Sequence, residues 1–205
     1  MKYNIYSNNI KDYLKLDNII DYDNGLIKDL SDILYEKSNG IIDYIKNCFE
    51  YVRDNIKHSN DYGINDVTCK ASEVLEKGHG ICFAKSHLLA ALLRNKGIPC
   101  GFSYQKLVLD DDLNPILIYH GLNGIYIEEL DRWIRLDARG NKEGVDAQFS
   151  LEEERLAFPI RSNLGEVDNY TIYPNPDLNI IYALTNNKTR FDLWANLPIK
   201  LEYDK

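Results

Sequence analysis

Gly78-His79-Gly80-Ile81-Cys82-Phe83-Ala84-Lys85-Ser86-His87-Leu88-Leu89-Ala90-Ala91-Leu92-Leu93-Arg94-Asn95-Lys96-Gly97-Ile98-Pro99 is the stretch on which the fold turns. Gly97 followed by Pro99 is a helix stop. Before it, Leu88 to Leu93 cover much of a helical circumference, so the spacing predicts a helix over 81–96 buried at the centre of the domain. Gly78 and Gly80 let the chain turn sharply, or approach a ligand closely, just before that helix. Cys82 therefore opens a helix, where backbone N–H groups lack intrahelical partners and the macrodipole places partial positive charge. Helix starts favour thiolates over thiols. The same N–H groups can also steady a negatively charged oxygen in an acyl-transfer intermediate. The bland reading is one more small apolar core residue, which is what most cysteines are.

Towards the amino terminus, Ile41, Ile42, Ile45, Cys48, Phe49, Val52 and Ile56 recur at three- and four-residue intervals and predict an amphipathic helix. Ser59-Asn60-Asp61 and then Gly63 end that unit, and a short helix is expected from Ala71 to Glu76. Residues 1 to about 35 lack strong periodicity and read as a short strand or arm followed by loose helical turns. Beyond Pro99 the character changes to strands, over 102–109, 116–128 and 133–137. The first should end in the acidic turn Asp110-Asp111-Asp112. The last two should form an antiparallel hairpin turning near Leu130-Asp131. The stretch 149–158 reads as helical or irregular, 172–184 as containing a strand, and 188–197 as a terminal helix. Helices first, one buried central helix, then antiparallel strands: the expected class is α+β. No repeat, low-complexity tract or linker divides the chain, so residues 1–205 are read as one domain.

Composition narrows the function more than it names it. Hydrophobic residues make up 44% and charged residues 27% of the 205, as in ordinary soluble globular proteins. At this length about 70% of the unfolded chain's surface can be buried, so no staples are needed. The net charge of −8 and the lack of any basic run argue against a nucleic-acid partner. No stretch is long and apolar enough for a membrane span, and Met1 to Tyr6 lacks the apolar core of a signal peptide. The cysteines at 48, 69, 82 and 100 form no C-x-x-C pair, so a structural zinc site is not expected. Reduced thiols in a cytoplasm are the expectation, with no metal and no cofactor.

A nucleophilic thiolate needs a base nearby and a third group to orient that base. His87, five residues beyond Cys82, stands about 140° around the helix and faces nearly away. His79 lies in the preceding turn, and His58 in a polar stretch without an evident partner. His120 begins the second strand run and Asp137 closes the third. In an antiparallel hairpin the start of one strand and the end of the next share an edge, so His120 and Asp137 are placed to meet. Taken without Cys82, they are an ordinary strand histidine and a turn aspartate.

Gly80-Ile81-Cys82, the leucine-rich helix and Leu93-Arg94-Asn95-Lys96-Gly97-Ile98-Pro99 resemble the G-x-C, helix, L-R-x-x-G-I-P core of the transglutaminase-like superfamily. His120, the Trp133 strand and Asp137 resemble its second and third blocks, in order, over about residues 40–140. The resemblance implies a papain-like α+β fold and a triad of Cys82, His120 and Asp137. It implies acyl transfer through a cysteine thioester, with a peptide, protein or small amide as partner. Phe83 stands where calcium-dependent animal transglutaminases have tryptophan, and no upstream tryptophan or glutamine completes an oxyanion hole. Asn60, Asp61 and Gln105 are polar pocket candidates, each otherwise a surface or strand group. Peptidase or amidase chemistry is therefore the first expectation. The alternatives are a protein-cross-linking transglutaminase, an acyltransferase similar to the arylamine N-acetyltransferases, or a non-catalytic binding module on the same scaffold. The acyltransferases typically read R-G-G-x-C, against His79-Gly80-Ile81-Cys82 here.

Overall fold

The computed structural model describes residues 3–110 and 114–204. Met1 and Lys2, and Asp111 and Asp112 of the expected acidic turn, lie outside the described residues.

Helix α4 (Cys82–Asn95) is the centre, and every residue from Phe83 to Arg94 is buried. Only a helix apolar nearly all round tolerates this, which is what its leucine run provides. Helices α1 (Gly25–Glu36), α2 (Ile41–Asn55) and α3 (Ala71–Lys77) pack against α4, as do strands β4 (Cys100–Asp110) and β5 (Asn114–Ile127). The main sheet is antiparallel, in the order β6 (Arg132–Leu136), β5, β4, β7 (Val167–Asp168). Two short parallel pairings complete the layer. The first joins β1 (Asn4–Ile5) to β8 (Thr171–Ile172), and the second joins β2 (Lys57–His58) to β3 (His79–Gly80). The α+β expectation holds.

Arg94 explains why an arginine ends the central helix. Its buried guanidinium donates to Cys100 O (Nε 3.0 Å, Nη2 2.7 Å), Pro174 O (2.6 Å) and Lys15 O (2.7 Å). One donor-only fork thus joins the start of β4 to segments near both ends of the chain. Gly97, at φ 73°, supplies the left-handed turn between them.

Two expectations need correcting. Residues 25–36 are a regular helix rather than loose turns, capped by the Asn24 side chain on Leu26 N–H. Only Ile27, Ser31 and Leu34 are buried, while Leu26 and Ile33 stay exposed, which blurs the apolar period in the sequence. The strand expected within 172–184 is confined to its start, where Tyr173 bridges Phe102, and most of the rest is helical. β8 ends at Ile172, and α5 (Leu178–Asn186) starts where the Asp177 carboxylate caps Asn179 N–H. The neighbouring Ile180, Ile181 and Tyr182 look strand-like on paper, but Ile180, Ala183 and Leu184 form a buried helical stripe. Residues 149–158 are irregular, and α6 (Arg190–Ala195) is the expected terminal helix.

Burial pushes the imidazole of His87 down to about 4 and that of His58 to about 3, from an ordinary 6.5. Both stay neutral in the fold but charge in the unfolded chain below pH 6.5. The unfolded state then binds more protons, so stability falls with acidification from 6.5 towards 4.5, by about 1.4 kcal/mol per pH unit for each. Denaturant melts across this window should show that slope. In His87→Gln it should fall by about one proton, whatever the variant's starting stability.

Candidate active site

Cys82 is the first residue of α4, and its N-cap, Ile81, offers no side-chain hydrogen bond to the first turn. The amide of Cys82 is therefore left for something other than the helix. The thiol faces a cleft of about 530 Å³ whose wall also includes His120, His58, Asn60 and Arg139. Cys48, Cys69 and Cys100 are buried, and burial pushes each thiol up to about 12. Cys82 alone among the four is partly exposed.

His120 sits on β5, 5% exposed, with Nε2 2.7 Å from Asp137 Oδ2. The strand register pairs Asn123 with Leu136, so His120 and Asp137 are diagonal rather than direct neighbours. Such diagonals are within reach of long side chains, and the expected meeting occurs. Asp137 is fully buried, and its carboxylate also accepts Ala157 N–H (3.0 Å) and Arg139 N–H (3.2 Å). Burial by itself raises an acid, but His120 and these two amides together hold Asp137 below the usual carboxylate range. The Phe158 ring closes edge-on over the imidazole, with centroids 5.1 Å apart.

The imidazole and the Cys82 side chain line the same cleft. With Nε2 committed to Asp137, Nδ1 is the nitrogen left for the sulfur. Burial works against a charged ring, yet the Asp137 carboxylate, with Cys82 adding to it, outweighs burial and raises His120 to about 10. The three expected residues are thus in one place. His87 does face away, its Nδ1 2.8 Å from Cys69 O, and His79 is taken up by the Ser59 hydroxyl at 3.0 Å.

The segment 57–61 was the part the sequence left obscure. The parallel bridge pairs Lys57 with His79 and His58 with Gly80, and Ser59 N–H continues it to Gly80 O at 3.1 Å. Beyond it the chain turns, Gly63 N–H closing on Asn60 O at 3.3 Å. Asn60 and His58 line the cleft with Cys82, and Asp61 is bound to the lining residue Arg139. Of the three polar pocket candidates, Asn60 lines the cleft, Asp61 is an exposed residue tied to Arg139, and Gln105 is a strand group bonded to Asp168 (3.0 Å). A two-residue bridge leaves no periodic trace in a sequence. Lys85 fixes it from below, its Nζ on Ile56 O (2.5 Å) and Arg53 O (3.3 Å) at the end of α2.

The family model of the transglutaminase-like superfamily matches residues 28–138, more than half of the 205. The chain belongs to the transglutaminase-like superfamily. The match spans Cys82, His120 and Asp137 and starts earlier than the motifs alone suggest. Among solved structures, a "putative cysteine protease" from Cytophaga hutchinsonii aligns at TM-score 0.52 and 20% identity, over 65% of this chain and 43% of that one. That likeness is one of fold. The periplasmic domain of TgpA from Pseudomonas aeruginosa aligns at TM-score 0.44 and 17% identity, over 62% and 46%. A "putative protease" from Parabacteroides distasonis aligns at TM-score 0.41 and 14% identity, over 74% and 32%. This superfamily member spans less than half the length of each of the three. No curated protein matches its sequence. No helix among the described residues is long and apolar enough to cross a membrane.

Gly121 sits beside His120, and a Cβ there would lie 2.6 Å from a Phe83 ring carbon, next to Cys82. Gly121→Ala should therefore push α4 and β5 apart at the site. The expected cost is about 1–3 kcal/mol in denaturant unfolding, with slower alkylation of Cys82.

Proposed function

We propose that this chain is a thiol-dependent acyl-transfer enzyme that hydrolyses an amide, a peptidase or amidase working through a thioester on Cys82. The observation that carries this reading is the buried imidazole of His120, held by Asp137 at 2.7 Å and lining one cleft with the partly exposed Cys82. The Cys82 thiolate attacks the amide carbonyl carbon. The tetrahedral intermediate collapses as the His120 imidazolium gives its Nδ1 proton to the leaving nitrogen, and the C–N bond breaks. The neutral imidazole then takes a proton from water, whose oxygen attacks the thioester. Release of the acid restores the thiolate and imidazolium. Asp137 keeps the ring oriented and steadies its charge.

The developing oxyanion takes one hydrogen bond from the Cys82 amide. We assign the second to Asn60. Arg190 Nη1 donates to Asn60 Oδ1 at 3.0 Å. Since a guanidinium only donates, this fixes the amide flip and turns Nδ2 away from Arg190. Arg190 belongs to α6, outside the matched residues, so the terminal helix acts here as a positioning element.

Brief, dilute iodoacetamide near pH 6, read by mass spectrometry, tests the pair. Cys82 should label at least about ten-fold faster than the other three cysteines, and His120→Ala should erase that lead. Uniform slow labelling, or a lead that survives without the imidazole, overturns the assignment. Asn60→Ala should keep the alkylation rate, since alkylation forms no oxyanion. Acylation by p-nitrophenyl acetate should drop by about 10²–10³ in that variant.

A further inference from the structure

One end of the cleft carries more positive charge than its own carboxylates balance. Arg139 and Lys142 both line it, and both bind the single carboxylate of Asp61. Arg139 Nη1 lies 2.8 Å from Oδ2 and Nη2 3.0 Å from Oδ1, while Lys142 Nζ lies 2.8 Å from the same Oδ1. Two cations share one anion. The nearby carboxylates are committed elsewhere: Asp137 to His120, Glu166 to Arg161. His58, whose Nδ1 is 3.6 Å from Asp61 Oδ2, is kept neutral by its burial and by the neighbouring Arg139, so it adds no charge of its own. Arg139 is buried, its guanidinium against the Phe158 ring, and is fixed in place. Lys142 has a side chain 47% exposed and spends one of its three donors on Asp61. Excess cationic charge at a partly desolvated wall attracts an anion more strongly than at an open surface. It also runs against the net charge of −8 of the whole chain. The rest of the wall is largely apolar, with Leu107, Ile118 and Trp194.

We propose that the cleft selects amide substrates bearing a carboxylate near the scissile bond, which docks at Lys142 and Arg139 beside Asp61. An acidic side chain or a free carboxyl terminus supplies the same group, and an apolar portion packs on the apolar part of the lining. This rests on the reading of Cys82 as the nucleophile, and it names the class of substrate that reading left open.

Two alkylating reagents of nearly equal size separate the ideas, because iodoacetate carries a carboxylate and iodoacetamide does not. The measured quantity is the ratio of their rates on Cys82 in the full chain, relative to the same ratio on a small neutral thiol. The expected relative ratio is about five- to ten-fold in favour of iodoacetate at low salt, shrinking towards unity in 1 M salt. Lys142→Gln should lower it several-fold, and Lys142→Glu should bring it to unity or below. A ratio unchanged in Lys142→Glu, with Cys82 still the fast-labelling cysteine, overturns the carboxylate subsite and leaves the nucleophile reading intact. Failure of Cys82 to label ahead of the other cysteines with either reagent removes the nucleophile reading first, and the subsite with it.

Discussion

An imidazole buried in a protein interior stays charged only if anions replace the water it has lost. His120 meets this condition through the Asp137 carboxylate on one ring nitrogen, with Cys82 adding to the effect. The desolvation that alone would neutralise the ring is outweighed, and its proton is held up to about pH 10. A histidine raised above its ordinary 6.5 stabilises the fold fully below that pH, and the gain fades as pH climbs towards 10. Asp137 could not serve if it were free to move or to protonate. Two backbone amides, from Ala157 and Arg139, lock its carboxylate in place. The irregular chain after β6, which has no strand or helix of its own, is anchored there by that carboxylate.

The other constraint is the burial of α4. A helix covered on all sides must enter the core end-on, and the entering end is Cys82 with its uncapped first turn. Arg94 fastens the far end to β4 and to segments near both termini. Lys85, one turn in from Cys82, fastens the near end to the last carbonyls of α2. Burial pulls the Lys85 ammonium down to about 7, a cost accepted in exchange for ordering the chain that leads into the β2 bridge and on to Asn60 at the cleft.

Periodicity and motif spacing made the central helix, the amphipathic α2, the three long strands and the meeting of His120 with Asp137 legible in the sequence. These features depend on local pattern or on a hairpin, whose register follows from a short turn. What the sequence hid depends on contacts between distant segments. The β2–β3 bridge is two residues long, and its two strands are twenty-two positions apart. Arg190 reaches Asn60 across 130 positions. Lys142 and Arg139 acquire meaning only once Asp61 is found between them. The α1 and α5 misreadings have a different source, because both helices leave large apolar side chains exposed and so dilute the period.

These hidden contacts share one property: they surround the cleft rather than build the core. The family match ends at residue 138, just after Asp137, so Lys142 and Arg190 both lie beyond it. A scaffold of buried helix and sheet specifies where a thiol and an imidazole meet, but it does not specify what is brought to them. Side chains on the connections after β6 and on the terminal helix are under no packing demand as strict as that on α4. The two-cations-to-one-anion imbalance at Asp61 is of this kind, since neither Asp61 nor Lys142 belongs to the buried core. Charge left unmatched beside a cleft in an otherwise acidic chain is most simply explained by a ligand that brings the missing anion.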